Sequence, residues 1–177
     1  MRSIVLAALL GAVVMFLWGW LSWAVLPWQM AVSNRFADEA AVQQALKMNG
    51  PKTGVYYLPF ESADERPGEP AAFVNLRPDG WGMSIARTMI VGLIGLFVAA
   101  LLVLWLLGRA RIPTYGGRVG FIALAGLAIA FYGNFVYWNW YGFPTSYTIV
   151  QMLDALIGWA LAGLVMARFA GSRNKAP

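Results

Sequence analysis

The stretch TMIVGLIGLFVAALLVLWLLG, Thr88–Gly108, decides how this chain is read. It carries no charge, and Arg87 and Arg109 bracket it. A hydrocarbon layer of about 30 Å calls for a helix of about 20 apolar residues. Working outward, two more uncharged runs appear, Ser3–Asn34 and Val119–Leu153. The second gives way at GFPTS, Gly142–Ser146, where Gly and Pro punctuate the chain. Four spans result, over residues 4–26, 87–108, 119–139 and 146–168. Thr145 or Ser146 is placed to cap the last. Composition agrees: the 177 residues are 60% hydrophobic and 12% charged, against about 25% charged in a soluble domain. The expected fold is an all-α membrane protein. It is a four-transmembrane-helix bundle with a small extracytoplasmic α+β insertion, residues 27–86, between helices 1 and 2, and a cytoplasmic tail at 169–177.

Charge placement orients the chain. Arg2, Arg109, Arg111, Arg118, Arg168, Arg173 and Lys175 gather on one side with no acid among them. The opposite short turn, Asn139–Tyr147, is uncharged. The long segment 27–86 holds five basic and seven acidic residues, and long loops have little orienting weight. Both termini are therefore expected in the cytoplasm, with the chain multi-pass in a bacterial inner (plasma) membrane. The net charge of +5 sits beside the spans instead of on one folded face, which argues against nucleic acid as a partner. Arg109, Arg111 and Arg118, at RIPTYGGR and its flank, are expected to contact anionic lipids.

Tryptophan placement follows from the same threading. WGWLSWAVLPW, Trp18–Trp28, and FVYWNWYGFP, Phe135–Pro144, reach one interface, where an apolar ring and a polar N–H or O–H are both satisfied. At about 100° per residue, Val13, Phe16, Trp20, Trp23 and Pro27 share one stripe of span one, while Trp18 points elsewhere. Phe16, Trp20, Trp23 and Trp28 are thus expected to form a face for a partner protein or a lipid. Ala31-Val32-Ser33 has the form of a cleavage site, yet the preceding apolar run is longer than a signal peptide's 7–15 residues. Span one is expected to stay attached.

Within the insertion, Asp38 is placed to cap a helix running to Met48, with Val42, Ala45 and Leu46 on its apolar face. GVYYLPF, Gly54–Phe60, and AAFVNLRP, Ala71–Pro78, read as two strands of a hairpin. A lone hairpin is marginal in water, so this one depends on something to cover it. Glu61, Asp64, Glu65 and Glu69 between the strands lack the ligand alternation of a calcium loop and read as a solvated loop. The topology of one span, a large outer loop with a small sheet and three closely joined spans resembles that of claudin-type proteins. The paired cysteines of that family's large loop have no counterpart here, and the resemblance implies no activity.

Chemistry is bounded by what is missing. With no Cys and no His, thiolate nucleophiles, Ser-His-Asp hydrolysis, imidazole or thiolate zinc and His-ligated haem are excluded. No catalytic constellation, metal site or cofactor is expected. Asp154 is the sole acid outside 27–86, and a carboxylate at a helix centre in the membrane costs about 2.5–3.5 kcal/mol on insertion scales. Such a group has a partner or lines a watery cavity. Asn134, Tyr132 and Arg87 lie at similar depth and are the expected partners, forming a clamp that fixes the bundle. Small faces at Gly92/Gly95, Gly120/Ala123/Gly126 and Asp154/Gly158/Ala162 are expected to let helices approach closely. The function expected is that of a non-catalytic accessory, assembly or scaffold subunit. Its partners would be lipids together with a membrane protein or a second copy. The rival is a transporter or channel subunit using Asp154 and Asn134.

Overall fold

In hydrocarbon a backbone satisfies its N–H and C=O groups internally or not at all, so apolar runs of this length become helices. The computed structural model is mostly helical and describes residues 2–61, 64, 66–80, 82 and 84–170, the Arg2 side chain excepted. Glu65 of the acidic loop and Arg173 and Lys175 of the tail lie outside the described residues. The chain order is α1 (Arg2–Ala24), α2 (Trp28–Ala31), α3 (Glu39–Asn49), β1 (Gly54–Leu58), β2 (Ala72–Leu76), α4 (Ile85–Ala110), α5 (Tyr115–Tyr141) and α6 (Thr145–Ala170). α1, α4, α5 and α6 are each long and apolar enough to cross a membrane.

Local chemistry sets several ends. Thr114 accepts from the Gly117 N–H at 3.1 Å and starts α5 four residues ahead of Val119. Gly142, at φ 66°, stops α5 in the left-handed region, which a residue without Cβ enters freely. α6 begins with Thr145 inside it, and the Thr145 hydroxyl accepts from Trp138 Nε1 at 3.0 Å instead of capping. Span one ends at Ala24, and Pro27 leads into the short α2, so Trp28 belongs to a second helix.

Two compact units result, Met1–Ser33 with Ile85–Pro177, and Asn34–Ser84. In the first, α6 packs on α5 and on α1, and α1 packs on α4. The buried cluster includes Ala7, Ala8, Leu104, Ile122, Ala162 and Met166. It fills the half nearer Ile4 and Phe169, and Met15 and Trp159 mark its other limit. Glycine allows the close approaches. Trp159 lies where a Cβ on Gly126 would be, Met166 where one on Gly11 would be, and Ile122 sits against Gly163. The other half is looser. α4 is exposed from Ile85 to Gly92, and a Cβ on Gly92 or Gly95 would touch nothing within 4 Å. Along α5 most residues from Phe131 to Tyr141 are exposed. The Gly92/Gly95 face, expected to pack, is open.

In the second unit the Asp38 carboxylate accepts the Ala41 N–H at 2.9 Å and caps α3. Val42 and Leu46 are half-buried while Ala45 is exposed. β1 and β2 pair antiparallel with Tyr56 opposite Val74 and Tyr57 opposite Phe73. Tyr56 and Leu76 lie against Gly50 at the end of α3. The other sheet face carries Val55, Tyr57 and Phe73, with the Tyr57 and Phe73 rings edge-on at 5.3 Å. No hydrophobic side chain is buried among the described residues of this unit.

Candidate functional site

The polar groups of the helical unit gather where α1 and α2 meet α6. Trp18 and Ser22 stand one turn apart on α1, and Gln151 and Asp154 one turn apart on α6, so each pair shares a helix face. The deeper rung is Trp18 with Asp154. The indole Nε1 donates to Asp154 Oδ1 at 2.7 Å and also approaches the Asp154 carbonyl oxygen at 3.0 Å. Gly158 lets the indole lie flat on α6, since a Cβ there would meet Trp18 Cδ1 at 3.0 Å.

The second rung depends on α2. The chain reverses after Ala24 and returns Gln29 and Trp28 to the end of α1. Trp28 Nε1 donates to Ser22 Oγ at 2.9 Å, and Gln29 Nε2 donates to the same oxygen at 3.2 Å. Gln151 Nε2 then donates to Gln29 Oε1 at 2.8 Å, which ties α2 to α6. Ser22 is 0% and Gln29 1% exposed. Buried groups of this kind must be paired, and among the described residues no buried side-chain nitrogen or oxygen lacks a partner. Trp28 also stands edge-on to Trp18, with centroids 6.0 Å apart, and so joins the rungs.

A groove of about 770 Å³ opens beside the deeper rung. Its walls come from α1 (Met15, Phe16, Trp18, Gly19, Trp20, Trp23), α4 (Thr88, Met89, Gly92, Leu96) and α6 (Asp154, Ala155, Gly158, Trp159). The lining is mostly apolar and aromatic, and among the described residues Asp154 is its one ionisable side chain. A separate cavity of about 210 Å³ lies between α5 and α6, lined by Asn134, Tyr137, Phe143, Tyr147, Thr148 and Gln151.

The expected intramembrane constellation is therefore redistributed. Asp154 is clamped, but by Trp18 of α1. Asn134 donates its amide to the Ala130 carbonyl of its own helix at 2.8 Å and lines the smaller cavity. Tyr132 is 77% exposed. Arg87 is exposed at the start of α4 and does not line the groove. Tyr132 and Asn134 follow the rotation of α5, which turns Asn134 towards Gln151 and Tyr132 outward.

Of the expected aromatic face, Trp20 and Trp23 are 57% and 54% exposed, Phe16 is half-buried, and all three line the groove. Trp28 is turned inward onto Ser22. At the termini end, Arg118 donates through Nε to the Ala167 carbonyl at 3.1 Å and through Nη1 to the Pro113 carbonyl at 2.8 Å. It staples the α4–α5 turn to the end of α6. Arg109 lies over the Trp105 ring at 4.9 Å. Arg111, at φ 51°, lines a cavity of about 410 Å³ with Ser3, Ile4 and Phe169.

Sequence reasoning passed over Trp18, Ser22, Gln29 and Gln151. A signal was available: Ser22, Gln29 and Gln151 are polar residues within or beside apolar runs, and such groups need partners. No family model matches the chain, and no curated protein or solved structure matches it.

Proposed function

We propose that this chain is a multi-pass protein of a bacterial inner membrane, with both termini cytoplasmic, that acts by binding instead of catalysis. It serves as an accessory, assembly or scaffold subunit, and its extracytoplasmic unit meets a membrane-protein partner. One observation carries the reading. In the 34–84 unit, Phe36, Val55, Leu58 and Phe60 are 68%, 54%, 57% and 80% exposed, while none of its described hydrophobic side chains is buried. A soluble fold hides such groups, and exposed apolar surface of this size marks a site of interaction. Among the described residues the sheet has two strands, so each is an edge strand, the kind of element a partner strand adds to. A protein surface laid against the exposed Val55 or Phe60 would bury apolar area that the unit leaves open.

On the helical unit, the exposed Trp20 and Trp23 offer aromatic rings of the kind favoured as interface anchors. The Lys/Arg bias of the short loops supports the orientation. Transport through Asp154 and Asn134 has less support, because the two line separate cavities.

The test is purification from native membranes in mild detergent, with each co-purifying chain identified. A stoichiometric membrane-protein partner is expected. It should be lost from Tyr57→Ser/Phe60→Ser and weakened in Trp20→Ala/Trp23→Ala, while both variants still insert. Recovery of a homo-oligomer alone, unchanged by either pair of substitutions, would refute the accessory reading.

A further inference from the structure

The groove between α1, α4 and α6 has a chemistry of its own, independent of the hairpin. We propose that it binds an amphipathic organic cation, with Asp154 as the counter-ion and the surrounding tryptophans as walls that stabilise positive charge.

Three features of the groove lead there. First, its carboxylate is half-satisfied. Trp18 Nε1 holds Oδ1, and among the described residues no other donor reaches the side chain. Since no buried side-chain oxygen among the described residues lacks a partner, the second oxygen is accessible, on a residue that lines the groove. Among the described residues no Lys or Arg shares the lining to neutralise it. A low-dielectric site with one carboxylate and no cation is complementary to a single positive charge. Second, the walls suit that charge. Trp18, Trp20, Trp23, Trp159 and Phe16 present rings whose faces attract cations, an effect that grows with desolvation. Met15 and Met89 add soft, adaptable surface. Trp20 and Trp23 have no burial to account for their presence.

Third, the dimensions select a small molecule over a partner's spanning helix. The groove runs from Trp23 to Met15 on α1, about 12 Å at the rise of a helix, and closes on the buried Met15 and Trp159. A spanning helix needs about 30 Å and would lie outside the groove for most of its length. The volume of about 770 Å³ falls within the range of about 300–1,000 Å³ typical of small-ligand sites.

The experiment uses the full chain in a neutral detergent or a zwitterionic nanodisc. The probes are tetraphenylphosphonium and tetraphenylborate, ions of matched size and opposite charge. Binding is followed by tryptophan fluorescence and calorimetry. Saturable binding of one phosphonium per chain is expected, with none of the borate. Asp154→Asn keeps an oxygen that can accept from Trp18 and removes the charge, so phosphonium affinity should fall about tenfold or more. Gly92→Phe fills the groove from a position where a Cβ meets nothing within 4 Å, and should abolish binding while the thermal melt is unchanged. Because it leaves Asp154 untouched, it decides the matter even if Asp154→Asn fails to fold. Equal binding of both ions, unsaturable uptake, or phosphonium binding indifferent to Gly92→Phe would overturn the proposal. So would a partner helix cross-linked through Gly92→Cys in native membranes together with no phosphonium binding.

Discussion

The Trp18–Asp154 pair joins two helices through one hydrogen-bond donor whose acceptors lie 136 residues away in the chain. Direct measurements put intramembrane hydrogen bonds at about 0.6 kcal/mol on average and about 1.7 at most, while leaving one partner buried and unpaired costs about 1–3 kcal/mol. That asymmetry makes a sharp prediction. Trp18→Phe and Asp154→Leu should each destabilise by about 1–2 kcal/mol, and the double variant should be more stable than the sum of the two losses requires. The measurement is reversible unfolding in mixed detergent, read as a double-mutant cycle. Strict additivity would show that the indole and the carboxylate do not interact in the folded protein. Asp154→Asn, which retains an acceptor, should unfold close to the wild type.

Between elements, contact is governed by small residues at a few places. Trp159 occupies the space that a Cβ on Gly126 would need, whereas Gly120, on the same helix, faces open space. Gly126→Ala should therefore cost about 1–3 kcal/mol through overpacking, and Gly120→Ala should be neutral or slightly stabilising, since alanine is the better helix former. A chemical-denaturation series on the two variants checks this, and equal effects would contradict the α5–α6 packing. The α4–α5 turn gives a second contrast. Arg118→Gln removes donors from the Ala167 and Pro113 carbonyls and should lower stability by about 1–3 kcal/mol, with little change in bound anionic lipid. Arg109→Gln should do the reverse, because the Arg109 guanidinium lies over a tryptophan face at an exposed position. Native mass spectrometry for retained lipid, beside thermal unfolding, separates the two roles.

At the scale of the whole molecule, the chain joins two units of different character. The helical unit has a dry core at one end and polar rungs with a groove at the other, while the 34–84 unit has no buried hydrophobic residue among those described. Its topology is simple to test because the chain has no cysteine, so any introduced thiol is unique. Glu69→Cys in the long segment should react with a membrane-impermeant maleimide in intact cells. Gly116→Cys, in the first turn of α5 where a Cβ meets nothing within 4 Å, should react only after permeabilisation. The opposite pattern would reverse the proposed orientation.

What the sequence determined by itself is whatever depends on short-range chemistry. The uncharged run Thr88–Gly108 requires a helix because its backbone has no other way to satisfy itself in hydrocarbon. Asp38 caps α3 because an acceptor three residues before a free N–H is local geometry. GVYYL and AFVNL pair because β-rich segments flanked by turn residues close a hairpin. The tertiary structure alone decided how each helix is rotated about its axis, and so which polar group meets which. Position along each span could be read for Asp154, Asn134, Tyr132 and Arg87, but that is one coordinate and contact needs three. The rotation of α6 is set where Trp159 packs on Gly126 and Met166 on Gly11, contacts between residues far apart in the chain. That packing turns Asp154 to the indole of Trp18, and the reversal at α2 carries Gln29 to Gln151. Trp18 read as an interfacial ring because it lies in the tryptophan-rich run Trp18–Trp28. Its N–H found a carboxylate because the glycine at 158 left room for the ring to lie against α6.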